Sequence, residues 1–280
     1  MPNALTIALT APGMMGAGIG ARLVKHGCRV IVPLAERSHA SRDRAEKAGM
    51  QVAEWEELGQ ADMILSVVSP EFAESTAEKI ASLCAGSKAL YADLNAITPG
   101  RAVRIGGIVE KAGMRFTDGG IVGPPPPRDE GKEPVIYLSG PAAAEAAGLK
   151  VYGLKTELLH GPAGEASALK LSYAGITKGL AALGATMMLA ASRAGVEEQL
   201  MAELEDSQPQ LAKMFKGSIP AMLPKSGRWV SEMHEIAEFI GTDRPEHGIY
   251  RAVAELYENI FDSHRADGDE ATLLRDLVSK

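Results

Sequence analysis

A chain of 280 residues that is 46% hydrophobic has the length of one large or two ordinary domains and enough apolar residues for a core. Its formal charge of −7, with no run of Lys and Arg, excludes a nucleic-acid-binding tail, and Cys28 and Cys84 lack metal or redox spacing and cannot form a disulfide scaffold. The N-terminus lacks the basic region and cleavage site of a signal peptide, and the charge-free stretch between Lys178 and Arg193 is too short for a bilayer span, so a soluble cytoplasmic protein with no nucleic-acid or membrane partner is expected.

In chain order, Ala4 to Thr10 is a compact apolar strand, followed at once by Ala11-Pro12-Gly13-Met14-Met15-Gly16-Ala17-Gly18. A helix then runs to His26, with Gly27 past its end, and Arg29 to Leu34 is the next strand. This is the strand–glycine turn–helix–strand context in which a dinucleotide fingerprint has meaning. Glycine lets backbone approach a pyrophosphate, and the helix N-terminus supplies free N–H groups. Two registers fit, Ala11-x-Gly13-x-x-Gly16 and Gly16-x-Gly18-x-x-Ala21, and the first puts the turn directly after the strand. Pro12, Gly13, Met14 and Met15 are the expected pyrophosphate contacts. At the end of the second strand, Arg37 and Ser38 can clamp a 2′-phosphate and Arg42 can add charge, which favours NADP, whereas Glu36 favours NAD. Arg44 reads as part of a solvated helix face.

Ala61 to Val68 is a third strand ending at Ser69-Pro70, with a helix over Glu71 to Leu83. Lys88 to Leu94 is a fourth, ending at Asn95, and Thr98-Pro99 opens another helix. Strand C-terminal ends line the ligand crevice of an open parallel sheet, so Val68, Ser69 and Asn95 are expected at the cofactor. Met114 to Asp118 is a short strand. Gly119-Gly120-Ile121-Val122-Gly123 and the four prolines after it read as a stiffened loop with free N–H groups, able to hold a carboxylate or simply to turn the chain. Pro134 to Ser139 and Glu157 to His160 complete the sheet at its edge. The alternation of strand and helix predicts a Rossmann-type, doubly wound parallel sheet.

After Gly161-Pro162-Ala163-Gly164-Glu165 nothing interrupts a helix before Gly195, which predicts about 30 residues of helix, roughly 45 Å. Its second half, Leu180 to Ala191, is apolar nearly all round and is expected to be buried. Lys170 lies near its start, where burial would suit it to chemistry. Five shorter helices follow, over Glu197 to Asp206, Pro209 to Phe215, Ser231 to Phe239, Pro245 to Ser263 and Asp269 to Val278, with a break marked by Pro220, Pro224 and Gly227. The fold class is α/β followed by an all-α C-terminal domain, joined by the long helix, with a dinucleotide-binding domain over 1–162 and a substrate and dimerisation domain over 163–280.

These residues together resemble the β-hydroxyacid dehydrogenase family, over nearly the whole chain. The resemblance rests on Gly13-Met14-Met15-Gly16, on Glu36-Arg37-Ser38 for an NADP-type Asn-Arg-Ser/Thr, and on Asp93-Leu94-Asn95 with Pro99. It rests also on Asp118 to Pro124 for Asp-x-Pro-Val-Ser-Gly-Gly, on Gly161-x-x-Gly164 with Lys170, and on His234-Glu235-Ile236 for a later Lys-Asp-Leu. It implies Lys170 as general acid/base, and Ile121, Val122, Gly123, Tyr173 and His234 at the substrate. Where the family has Asn-Asn and Ser, this chain has Tyr173, Ala174 and Val122, which implies a bulkier or less polar substrate. The Arg228-to-Ile236 pattern resembles a divergent branch with a modified C-terminal domain. The expected activity is hydride transfer between NADP, or NAD, and a hydroxyl or carbonyl of a small substrate, by a homodimer with no metal. An imine reductase on the same scaffold and a non-catalytic NADP sensor are the alternatives, and Lys170 favours C=O chemistry over both.

Overall fold

The computed structural model describes residues 4–35, 37–127 and 131–277. The chain forms two compact units, Met1–Leu171 and Ser172–Lys280. The first is built of β1 (Thr6–Leu9), α1 (Met14–Lys25), β2 (Arg29–Pro33), α2 (His39–Lys47), β3 (Gln51–Ala53), β4 (Met63–Ser66), α3 (Ala73–Leu83), β5 (Leu90–Asp93), α4 (Pro99–Lys111), β6 (Arg115–Val122), β7 (Val135–Ser139), α5 (Ala143–Ala146) and β8 (Lys155–Leu158). The sheet order is β3-β2-β1-β4-β5-β6-β7-β8, and every neighbouring pair is parallel except β6 with β7.

The strands are apolar on both faces because helices cover both. Ile7 and Leu9 enter one core cluster with Val30 and Leu65, while Ala8 enters the other with Ile31 and Ile64. Strand order reverses between β1 and β4, and in such sheets the ligand crevice opens outside the carboxyl ends of the strands at that point. Thr98 caps α4 by accepting from the Arg101 N–H, and Pro99 occupies the first helical position.

Several sequence expectations need correction. The short edge strand β3 was missed, since Gln51 and Val52 are exposed and give no alternation. The edge strand expected over 157–160 lies at Lys155–Leu158. Gly119 to Val122 is not a loop but the second half of β6, because the antiparallel partner β7 takes up its backbone groups, Gly119 facing Leu138 and Gly120 facing Tyr137.

The long helix α6 (Glu165–Ala194) has the expected extent. It begins in the first unit and continues into the second, which adds α7 (Glu197–Ser207), α8 (Pro209–Met222), α9 (Ser226–Ile240), α10 (His247–Arg265) and α11 (Asp269–Leu277). By length and composition α6 could cross a bilayer, but half of its most apolar window is buried within the protein. It is not buried all round: Ile176, Leu183 and Met187 are more than half exposed. Pro220 does not break α8, which ends two residues later, and α9 begins before Gly227. A methyl group there would sit 2.6 Å from the Phe261 ring, so this glycine marks the close packing of α9 on α10 rather than a turn.

Candidate functional site

The glycine turn follows β1 directly. Thr10 ties it to β4, its N–H donating to the Leu65 carbonyl at 3.2 Å and its hydroxyl accepting from the Val67 N–H at 3.0 Å. Gly13 is the N-cap residue of α1 and no side chain caps that helix, so its first N–H groups remain for a ligand. The two glycines have different jobs. A methyl group on Gly13 would meet nothing within 4 Å, whereas one on Gly16 would stand 2.2 Å from the Ala11 carbonyl oxygen. Gly13 leaves room and Gly16 closes the turn, which is the Ala11-x-Gly13-x-x-Gly16 register. An uncapped helix N-terminus behind an open glycine turn fits a pyrophosphate.

At the end of β2, the Arg37 guanidinium donates to the Thr10 carbonyl at 3.3 Å, and Ser38 is the N-cap of α2, accepting from the Ser41 N–H at 3.3 Å. Arg42 is exposed one turn on. Two guanidiniums and a helix N-terminus can receive a phosphate. Glu36 lies outside the described residues. Arg44 is not on a solvated face. It is half-buried, and its Nε donates to the Pro12 carbonyl at 2.8 Å, bracing the turn from outside. It also lines a groove of about 410 Å³ with Arg22, Lys25 and Lys47 along the outer side of α1 and α2. Those cations complement the carboxyl ends of the two helices, and the groove reaches Met14 at the start of α1.

Across the middle of the sheet the strand register sets Ser66, Asp93, Asp118 and Ser139 side by side, all four without exposed surface. Asn95 is buried with them. It donates to the Ser66 hydroxyl and to Asp93 Oδ2, each at 3.0 Å, while its Oδ1 accepts from the Val68 N–H at 2.7 Å. Asn95 thereby fixes the backbone of half-buried Val68 ahead of exposed Ser69. Burial pushes the Asp93 carboxyl up to about 7; the Asn95 hydrogen bonds and Arg101 oppose the rise and the Asp118 charge adds to it.

Asp118 meets the start of α6. Its Oδ2 accepts from the N–H groups of Gly164 at 2.9 Å and Ser167 at 3.0 Å and from the Ser139 hydroxyl at 3.0 Å, and its Oδ1 accepts from the Ser167 hydroxyl at 2.6 Å. The Ser139 oxygen in turn accepts from the Ala166 N–H at 3.1 Å. Two residues along β6, on the same face, is Gly120. A methyl group there would come 2.6 Å from the Ala166 carbonyl oxygen and 2.8 Å from Lys170 Cβ. Helix and strand therefore touch at backbone distance, and half-buried Lys170 stands directly above the carboxyl half of β6.

The remaining candidates separate. Ile121 lies in the core at 5% exposure, Val122 is half-buried at the end of β6, and Gly123 leaves the strand with φ +122°. Tyr173 and His234 belong to the second unit, where both are exposed. Sequence reasoning did not identify that unit's buried cluster. Lys178 is ion-paired to Glu232 and lies 4.8 Å over the Trp229 ring, and the Tyr257 hydroxyl donates to the Lys178 carbonyl at 2.6 Å. The signal was there in part: Trp229, Glu232 and Tyr257 lie on the strongly patterned α9 and α10, whereas Lys178 lies on α6, which is not so patterned.

Residues 6–147 match the family described as the NAD binding domain of 6-phosphogluconate dehydrogenase, and residues 191–260 match a domain of unknown function, DUF1932. The chain is 27% identical over 207 residues to an uncharacterized 28.5 kDa protein encoded in the 7S RNA 5′ region of Methanothermus fervidus, covering 73% of this chain and 78% of that one. The solved structure of the conserved protein MTH1747, of unknown function and described as structurally similar to 3-hydroxyacid dehydrogenases, superposes with a TM-score of 0.71 at 25% identity, over 95% of this chain and all of that one. The 3-hydroxyisobutyrate dehydrogenase of Mycobacterium tuberculosis, solved with L-serine, shares the fold with a TM-score of 0.72 at 18% identity, over 98% and 99% of the two chains.

Proposed function

The chain belongs to the β-hydroxyacid dehydrogenase family, and from that premise we propose an NADP-dependent oxidoreductase acting on a hydroxyl or carbonyl group of a small substrate, with Lys170 as general acid/base. That it binds a nicotinamide dinucleotide follows from the family. The bound cofactor would supply hydride transfer at its nicotinamide ring. Pro12, Gly13, Met14 and Met15 would hold the pyrophosphate against the free end of α1. Arg37, Ser38 and Arg42 would take the 2′-phosphate, and Val68, Ser69 and Asn95 would bound the crevice on the β4–β5 side.

The observation that carries the reading is the backbone-distance approach of α6 to Gly120, which sets Lys170 over the carboxyl half of β6, the edge of the sheet where ligands bind in this fold. An ammonium held there can give a proton to a carbonyl oxygen as hydride reaches its carbon, and the amine can take one from a hydroxyl in the reverse direction. Val122 and Gly123, beyond the buried Ile121 at the end of β6, are assigned to the substrate side, and Tyr173 and His234 remain candidates on the second unit. Val122 and Tyr173 would favour a bulkier or less polar substrate. We assign a homodimer, which the exposed apolar row on α6 supports.

The test has two steps. Fluorescence titration with NADPH establishes binding, and a panel of 3-hydroxy acids, aromatic alcohols and cyclic imines is then screened for nicotinamide absorbance change. Lys170→Met should lower kcat by about 10²–10⁴-fold, the share of a proton-transfer residue, with NADPH affinity retained. Turnover kept by that variant, or binding without turnover across the panel, sinks the proposal.

A further inference from the structure

A helix is ordinarily capped by a side chain next to it in sequence. At α6 the residue before the helix is Gly164, with φ +106° and no side chain to offer. Its cap comes from elsewhere. The N–H groups of Gly164 and Ser167 donate to Asp118, 46 and 49 positions away in sequence, and that of Ala166 donates to Ser139, which itself donates to Asp118. The Ser167 hydroxyl adds a fourth bond to the same carboxylate. None of Asp118, Ser139 and Ser167 exposes any surface, so water cannot replace a lost bond without a rearrangement.

The clamp has a direction. Ser167 and Lys170 lie one turn apart on one face of α6, and Asp118 and Gly120 lie two residues apart on one face of β6. Ser167 is bonded to Asp118, and Lys170 stands over Gly120. The depth and rotation of the helix at Ser167 therefore fix where the Lys170 side chain leaves the helix. A neutral N-cap would satisfy the same N–H groups. A buried carboxylate does more: it receives four donors at one point and complements the positive end of a helix of 30 residues.

We infer that Asp118 is a positioning residue for Lys170, its carboxylate clamping the first turn of α6 so that the amine is held in line with the reacting oxygen. This inference rests on the reading of Lys170 as the proton-transfer group.

The experiment compares the full-length parent with Asp118→Asn, Ser167→Ala, Lys170→Met and the Asp118→Asn/Lys170→Met pair. One readout needs no substrate: acetic anhydride labelling of Lys170, followed by peptide mass spectrometry and normalised to the exposed Lys47. A second uses 3-hydroxyisobutyrate with NADP as the probe pair. Asp118→Asn is expected to change Lys170 labelling at least threefold and lower kcat about 10–100-fold, the cost of misplacing a reacting group by about 1 Å, with KM and NADPH affinity within about twofold. Ser167→Ala moves both readouts in the same direction by less, and stands in if Asp118→Asn does not fold. On a Lys170→Met background the Asp118 change alters the residual rate by under about twofold, because the residue it positions is already gone. Unchanged labelling in both Asp118→Asn and Ser167→Ala overturns the clamp and leaves the Lys170 reading standing. A fully active Lys170→Met overturns that reading, whatever the labelling shows.

Discussion

Asp93 and Asp118 stand opposite each other in the register of β5 and β6, and neither side chain reaches solvent. A charge on Asp118 disfavours ionisation of Asp93. The donors are divided unequally between them. Asp118 accepts four hydrogen bonds, three of them at the start of α6, while Asp93 accepts two from Asn95. Burial chiefly, with the Asp118 charge adding to it, pushes Asp93 up from 3.8 to about 7.

A raised carboxyl makes a signed prediction for stability against pH. The folded state holds the Asp93 proton to about pH 7, and the unfolded chain gives it up near 3.8. Between those values the folded state binds more protons, so this group's contribution is full below about pH 4 and is lost as pH rises to about 7. At ~1.4 kcal/mol for each tenfold displacement, the loss is on the order of 4 kcal/mol. Asp93→Asn cannot ionise. Its stability relative to the parent should improve by several kcal/mol between pH 4 and pH 8, whatever constant cost its altered bond to Asn95 carries. Urea melts of the two proteins across that range check it, and parallel curves would refute it.

The second prediction concerns cofactor choice. Arg37 and Arg42 flank the N-terminus of α2, and Ser38 caps it. A 2′-phosphate there would gain charge-assisted hydrogen bonds worth ~1.5–3 kcal/mol each. Arg37→Ala or Arg42→Ala should weaken NADPH binding by about 10–100-fold and leave NADH within about twofold. Equal losses for both nucleotides would remove these residues from the phosphate site.

How much of this was legible in the chain differs by element. The glycine turn was, because its chemistry is local: Gly13, Gly16 and the flanking strand and helix all lie between Thr6 and Lys25. Lys170 was legible as a candidate, but its placement was not, since the clamp joins Asp118 to residues nearly fifty positions away and strand register alone aligns Ser66, Asp93, Asp118 and Ser139. Gly119 and Gly120 read as a loop because composition cannot show that β7 returns antiparallel beside them. The apolar half of α6 read as buried because composition shows what a face prefers and not whether anything covers it.

The third prediction tests the buried pair of the second unit. Lys178 and Glu232 have side-chain exposures of 16% and 10%, and Lys178 also lies on the Trp229 ring. Removing one partner leaves the other charge in a poorly solvated place, so Glu232→Ala should cost ~3 kcal/mol. Lys178→Met with Glu232→Leu removes both charges and should cost less than the two single changes summed. Thermal or urea denaturation decides. An additive double variant would mean the two side chains contribute separately.

The last prediction follows from the exposed face of α6. Tyr173, Ile176, Leu180, Leu183 and Met187 recur at alternating spacings of three and four, the period of one helical stripe. Tyr173, Ile176, Leu183 and Met187 are 45%, 63%, 58% and 51% exposed. Single apolar residues on a surface are ordinary, but a continuous row of large ones on one helix loses ~25 cal/mol for each Å² of apolar area left in water. Only a partner surface recovers that term, and in a homodimer related by a two-fold axis the row can pack against its own copy. Leu183→Glu places a charge in the middle of the row and should convert a dimer to a monomer in light scattering at micromolar concentration. Leu183→Met, which keeps the apolar surface, should leave it dimeric. Because the row sits on a surface rather than in the core, the glutamate variant should keep its helical circular dichroism. A parent that is monomeric at that concentration, or a glutamate variant that stays dimeric, would show that this row does not assemble the protein.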